Sequence, residues 1–187
     1  DRLDDLPKYI ETAVSNAKLV SDAGVRLAGV PPVVESVRSS NERDPLSISL
    51  EEKKAIFDQY VDIMSSTPKI TTVSVAYGDK KQVRLFATST GSFIHQEKVD
   101  ISLRLNATAR SGSDVQQSGI SLGSNGDFSV VEHLEGKATL IAEKAVNLLT
   151  APQAKGGEYT VVLDPILAGV FIHEAFGHLS EADHVYE

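Results

Sequence analysis

The chain is predicted to be α+β: an antiparallel sheet with packed helices, followed by the first strand and helix of a further domain. Three observations point there. Apolar residues recur every three or four positions in the segments 7–22, 49–65 and 131–150, the period of a one-sided helix. Between Ile70 and Leu122 the period drops to two, the mark of strands with one face on a core and one in water. A short apolar run, Tyr159 to Leu163, then precedes a helix-start signal in the last thirty residues.

Each element follows from local chemistry. In residues 7–22 the stripe is Leu6, Ile10, Ala13, Val14, Ala17 and Val20, and Gly24 is the expected stop. Leu27 to Leu46 carries Pro31, Pro32 and Pro45 among many Ser and Arg residues and reads as an extended connector. The second helix spans Ser49 to Ser65. Ser49 and Glu52 form a capping box, and Ala55, Ile56, Tyr60, Ile63 and Met64 supply the apolar face.

From Ile70, Val73, Val75 and Tyr77 alternate with polar residues, and Gly78-Asp79 reads as a turn before a strand over Gln82 to Ser89. After Thr90-Gly91-Ser92 come Phe93 to Gln96 and the clearest strand, Lys98 to Arg110, where Val99, Ile101, Leu103, Leu105 and Ala107 alternate with polar side chains. Ser111-Gly112-Ser113 separates it from Val115 to Leu122. The third helix uses Leu134, Ala138, Ile141, Ala142, Ala145, Leu148 and Leu149. A connector, Ala151 to Gly157, leads to the strand at Tyr159 to Leu163. Asp164 is then a cap and Pro165 a first helical residue. The expected division is an α+β region over 1–150 and the start of a further domain over 151–187.

Composition narrows the function classes. With 187 residues and 41% apolar content the chain can bury one substantial core or two modest ones. It contains no Cys, so neither disulfides nor thiolate ligands arise within it. A net charge of −8 argues against a broad phosphate-binding surface, and Lys53-Lys54 and Lys80-Lys81 read as solvated faces. No run reaches the ~18 apolar residues of a membrane span. The start at Asp1, without an initiator Met, reads as that of an internal fragment. No Gly-x-Ser-x-Gly elbow or phosphate-cradling Gly loop occurs.

The informative stretch is His173-Glu174-Ala175-Phe176-Gly177-His178. Two neutral imidazoles can hold a Zn²⁺, and an adjacent Glu can take a proton from the water that attacks an amide. Chance produces His-Glu-x-x-x-His in a chain of this length on the order of once in a hundred. A spacing of five, however, puts the two imidazoles about 140° apart on a regular α-helix, too far to share an ion. Either a π-bulge or unwinding before His178 is therefore needed, and Gly177 is placed to permit a break. The expected helix runs from Pro165 to about Phe176 and then loosens. Catalytic zinc sites use three protein ligands; within the chain the third could be Glu181, Asp183 or His184.

Together, Tyr159-Thr160-Val161-Val162-Leu163-Asp164-Pro165, Ala168-Gly169 and His173 to His178 closely resemble the TldD/PmbA family of metallopeptidases. The segment Leu179 to Tyr186 resembles TldD-type members, and the alternating region with the 131–150 helix is similar to the family's central domain. The resemblance implies a cytoplasmic zinc peptidase acting on unfolded or extended peptides, as a homodimer or with a related subunit. It assigns His173 and His178 as zinc ligands and Glu174 as general base. The family's third ligand is a Cys far downstream, so the resemblance implies a missing C-terminal portion and an inactive isolated fragment. The alternative is a non-catalytic module that pairs a sheet edge with an extended peptide or a related subunit.

Overall fold

A computed structural model describes residues 3–20, 29–39 and 42–186. They divide into two compact units, one ending at Leu149 and the other beginning at Thr150. In the first unit, helix α1 spans Leu6–Val20, with Leu6, Ile10 and Val14 left exposed. The expected stop at Gly24 lies outside the described residues.

The proline-containing connector holds a strand that the sequence did not announce. Strand β1, Val34–Arg38, pairs in parallel with the start of a later strand, Val34 opposite Phe93 and Arg38 opposite Glu97. Its five residues are exposed and do not alternate cleanly, so periodicity could not reveal it. Its partner supplies the order.

Helix α2, Leu50–Ser65, starts where the capping signal placed it, with Ser49 Oγ accepting from the Glu52 N–H at 3.1 Å. The Glu52 carboxylate pairs with Arg43. The inward face is the expected one at Ile56, Tyr60, Ile63 and Met64 and differs only at its start. Ala55 is exposed, while Lys53, Ile56, Phe57, Tyr60, Ile63 and Met64 face the core or its margin. Lys53 is thus no solvated lysine. Its Nζ donates to Asp79 Oδ2 at 2.6 Å, Tyr77 OH donates to the same oxygen at 2.9 Å, and the ammonium lies 5.4 Å from the Tyr77 ring centroid. Sequence spacing sees only the helix and cannot see an acid supplied by a strand.

Three strands complete the sheet: β2, Ile70–Ala87; β3, Phe93–Ser111; and β4, Asp114–Ser124. The Gly78-Asp79 turn does not form. Gly78 pairs with Ser102 and Asp79 with Ile101, so β2 runs straight through. β3 is the central strand, flanked on one edge by β2 along its length and on the other by β1 and β4 in succession. The β3–β4 hairpin turns at Gly112, whose φ of +62° is one that L side chains rarely adopt. Gly119 answers a different need. A Cβ there would stand 2.6 Å from the Leu105 carbonyl oxygen and 2.1 Å from Asn106 Oδ1, so only glycine allows this strand spacing.

Alternation along β3 came out as read. Ile101, Leu103, Leu105, Ala107 and Ala109 are buried, while Ser102 and Arg104 are exposed on the other face. Helix α3, Glu135–Leu148, contributes Ala138, Ile141, Ala142 and Ala145 to the same core. It starts later than expected because Phe128–Val131 forms a 3₁₀ turn instead, capped by Asp127 Oδ1 accepting from the Ser129 N–H. Tyr60 ties these pieces together: its hydroxyl donates to the Val131 carbonyl at 2.8 Å and accepts from the Leu134 N–H at 3.3 Å. Phe57, Tyr60, Tyr77 and Phe128 form one aromatic cluster with centroids 4.9 to 6.5 Å apart. Every described buried side-chain N or O atom has a hydrogen-bond partner. The architecture is α+β.

The second unit lacks one expected element. Tyr159 to Leu163 forms no strand, and its side chains are exposed. A strand buried on both faces needs paired neighbours to satisfy its backbone, and the described residues of this unit contain none. Helix α4 then spans Pro165–Ile172, and a short helix α5 covers Asp183–Tyr186.

Candidate metal centre

Asp164 begins the site as its residue type predicts. It sits in extended conformation with Oδ1 accepting from the Ile166 N–H at 2.9 Å, and Pro165 occupies the first turn. The α-helix ends at Ile172, with the His173 N–H making its last bond to the Gly169 carbonyl. His173–Gly177 is a turn of π-helix, closed by the His178 N–H donating to the His173 carbonyl five residues back.

That wider turn is what the spacing demanded. A residue bonded five positions back lies over its partner, as a residue four back does in an α-helix, so His178 returns to the face of His173. The two rings stand 4.6 Å apart between centroids at 71°. His178 Nε2 is 3.7 Å from Glu174 Oε2. Of the two alternatives the sequence left open, the π-bulge is the one realised, and it begins at His173 rather than after Phe176. Gly177 does not act by a left-handed break: its φ and ψ, −56° and −55°, are ordinary right-handed helix. A Cβ there would reach His173 Nδ1 at 3.5 Å, an ordinary contact.

After the π turn, His178–Ser180 tightens into a 3₁₀ turn, with the Glu181 N–H donating to the His178 carbonyl at 3.2 Å. Side chains three apart eclipse in this geometry. Glu181 Oε1 accordingly lies 2.8 Å from His178 Nδ1. Spacing alone left Glu181, Asp183 and His184 as possible third ligands. The structure gathers those three into a separate exposed group and ties Glu181 to the histidine.

The donor set fits a divalent transition-metal ion. His173, Glu174 and His178 each offer a ligand atom, and these atoms lie within 4.8 Å of one another. All three residues are exposed, so no backbone opening is needed to admit an ion. Imidazole nitrogens with a carboxylate oxygen suit borderline metals, whereas Mg²⁺ or Ca²⁺ would call for oxygen-rich cages.

Comparison with known proteins decides the lineage. Residues 43–151, more than half of the chain, match the model of the PmbA/TldA metallopeptidase central domain. The chain belongs to the PmbA/TldD family. The match takes in α2, β2, β3, β4 and α3, while β1 precedes it and the His-Glu-His turn follows it. Among PmbA/TldD relatives, a metalloprotease of Synechocystis is 41% identical over 189 residues, covering all of this chain and 41% of its own length. A metalloprotease of Methanocaldococcus jannaschii is 31% identical over 98% of the chain, again 41% of its own length. A protein of Saccharolobus solfataricus named zinc metalloprotease TldD homolog is 32% identical over 62% of the chain and 26% of its own length. The chain thus spans about two fifths of the first two relatives. No helix among the described residues is long and apolar enough to cross a membrane.

Proposed function

We propose that the full-length protein containing this chain is a zinc-dependent peptidase acting on unfolded or extended peptides. The observation that carries the reading is the π turn, which gathers His173, Glu174 and His178 onto one exposed face. His173 and His178 would hold the metal through their nitrogens. When bound, zinc supplies the Lewis acidity that makes water a nucleophile near neutral pH and polarises the scissile carbonyl. Glu174 takes the proton of the attacking water and returns it to the departing amine, so one water is consumed for each amide cleaved. Its neighbour His173 and the 3.7 Å approach to His178 keep the carboxylate beside the ligand nitrogens. The third ligand is proposed to come from outside these 187 residues, as a Cys in the family pattern. The isolated chain should then be inactive. The cytoplasmic setting and the pairing with an identical or related subunit are carried into the proposal from the family resemblance.

Glu174→Gln in the full-length protein tests the assignment. The expected result is a loss of about 10²- to 10⁴-fold in peptide cleavage with zinc content unchanged. Full retained activity overturns it. Chelator-sensitive cleavage by the 187-residue chain overturns the inactive-fragment half.

A second reading has one observation of its own. Among the described residues β2 is an edge strand, paired only with β3. An extended peptide could add to its free edge through backbone hydrogen bonds. A metal-free protein whose peptide affinity survives His173→Ala would favour that binding role over hydrolysis.

A further inference from the structure

We propose that Glu181 is a positioning residue for His178, one that holds the ring through Nδ1 so that Nε2 is the nitrogen available to a metal. The inference rests on the metal-site reading above for its consequence, but its evidence is separate. An imidazole has two ring nitrogens, and in the neutral form only one carries a proton. In this chain Glu181 Oε1 stands 2.8 Å from His178 Nδ1, while Nε2 is the nitrogen 3.7 Å from Glu174. A carboxylate is acceptor-only when ionised, so the proton between them belongs to Nδ1. In the neutral ring Nε2 then keeps the lone pair that a metal can take.

The backbone makes the contact local and repeatable. The 3₁₀ turn His178–Ser180 eclipses residues 178 and 181, and the Glu181 N–H closes that turn on the His178 carbonyl. Ser180 Oγ donates to the Phe176 carbonyl at 2.9 Å, which pins the turn to the end of the π segment. The irregular helix therefore does two jobs in sequence. Its π part brings His178 beneath His173, and its 3₁₀ part sets an acceptor behind the ring. The same contact removes Glu181 as a ligand in common with Nε2, because the two nitrogens of one imidazole point away from each other. Carboxylate–histidine–metal pairs of this kind orient the ring and raise its basicity.

The test uses the full-length protein. Nitrogen-15 NMR of the histidine rings, metal removed and at about pH 8.5 where an ordinary imidazole is neutral, should show His178 as the Nδ1–H tautomer. Glu181→Ala should shift it toward Nε2–H. Zinc affinity, read by competition with a chromophoric chelator, should fall about 10- to 100-fold in Glu181→Ala and less in Glu181→Gln, which keeps an acceptor oxygen. In a His178→Ala background, Glu181→Ala should cost nothing further. An Nε2–H tautomer in the unsubstituted protein, unchanged zinc affinity in Glu181→Ala, or a full additional loss in the double variant would each overturn the assignment. Failure of the unsubstituted protein to bind zinc would sink the metal-site reading instead, and the tautomer would still judge Glu181 by itself.

Discussion

Tyr60 shows how much a single hydroxyl can organise. It is fully buried, bonded to the Val131 carbonyl and to the Leu134 N–H, and so joins α2 to the entry of α3. Phenylalanine would fill the same space but leave both backbone groups without that partner. Tyr60→Phe should therefore destabilise the fold by about 1–3 kcal/mol, measurable in denaturant titrations. The alkaline limb offers a second readout. Burial pushes the Tyr60 hydroxyl above its ordinary pKa, and burial reinforced by Asp79 pushes Tyr77 up further. The unfolded chain gives up those protons first, at about pH 10, so their contribution is complete below that pH and is lost as pH rises beyond it. With one of the two tyrosines replaced, the fall of stability above about pH 10 should be shallower. An unchanged slope would contradict this. Lys53 carries the complementary lesson: its helical position suggested a solvent-facing cation, and only the arrival of Asp79 from β2 makes its burial tolerable.

At the scale of elements, the decisive feature is the helix that changes period. On an α-helix five residues separate two side chains by about 140°; the π turn takes up one residue, so a sixth would leave the pair about 140° apart again. Insertion of one Ala between Glu174 and Ala175 should therefore exceed what the π turn can absorb. In the full-length protein it should reduce zinc affinity at least about 100-fold, roughly 2.8 kcal/mol. Deletion of Ala175 should instead give a regular α-helix with the imidazoles four apart and still on one face, visible in a crystal structure. Unchanged zinc binding in the insertion variant would show that the turn is not what gathers the ligands. Much of this was legible beforehand, because two imidazoles and a carboxylate at a spacing wrong for an α-helix announce an irregularity. The link from Glu181 to His178 was not, since it depends on the helix tightening to 3₁₀ just there. Elsewhere the alternation in β3 was readable because one face is buried. β1 was not, being an exposed edge that takes its register from Phe93 to Glu97. Gly78-Asp79 looked like a turn because residue type was the only guide, whereas cross-strand pairing with Ser102 and Ile101 carries β2 through it.

For the whole molecule, buried apolar residues are confined to the first unit: the described core runs from Ile48 to Ala145. The second unit presents Ile166, Leu167, Val170, Phe171 and Ile172 at half exposure or more. Such a surface is a patch of the kind that binds apolar dyes. Removal of residues 150–187 should leave the unfolding midpoint of the remainder unchanged, because every described buried apolar residue lies before residue 150, and should reduce dye fluorescence. A drop of many degrees in the midpoint would contradict that division of stability. The catalytic claim rests on the full-length protein, and one measurement addresses it most directly: its metal content and metal-edge structure after purification without chelators. The account predicts one zinc per chain, with His173 and His178 nitrogens at about 2.0–2.1 Å and the intervening turn π-helical. A protein free of transition metal, with the two imidazoles diverging on a regular α-helix, would contradict it.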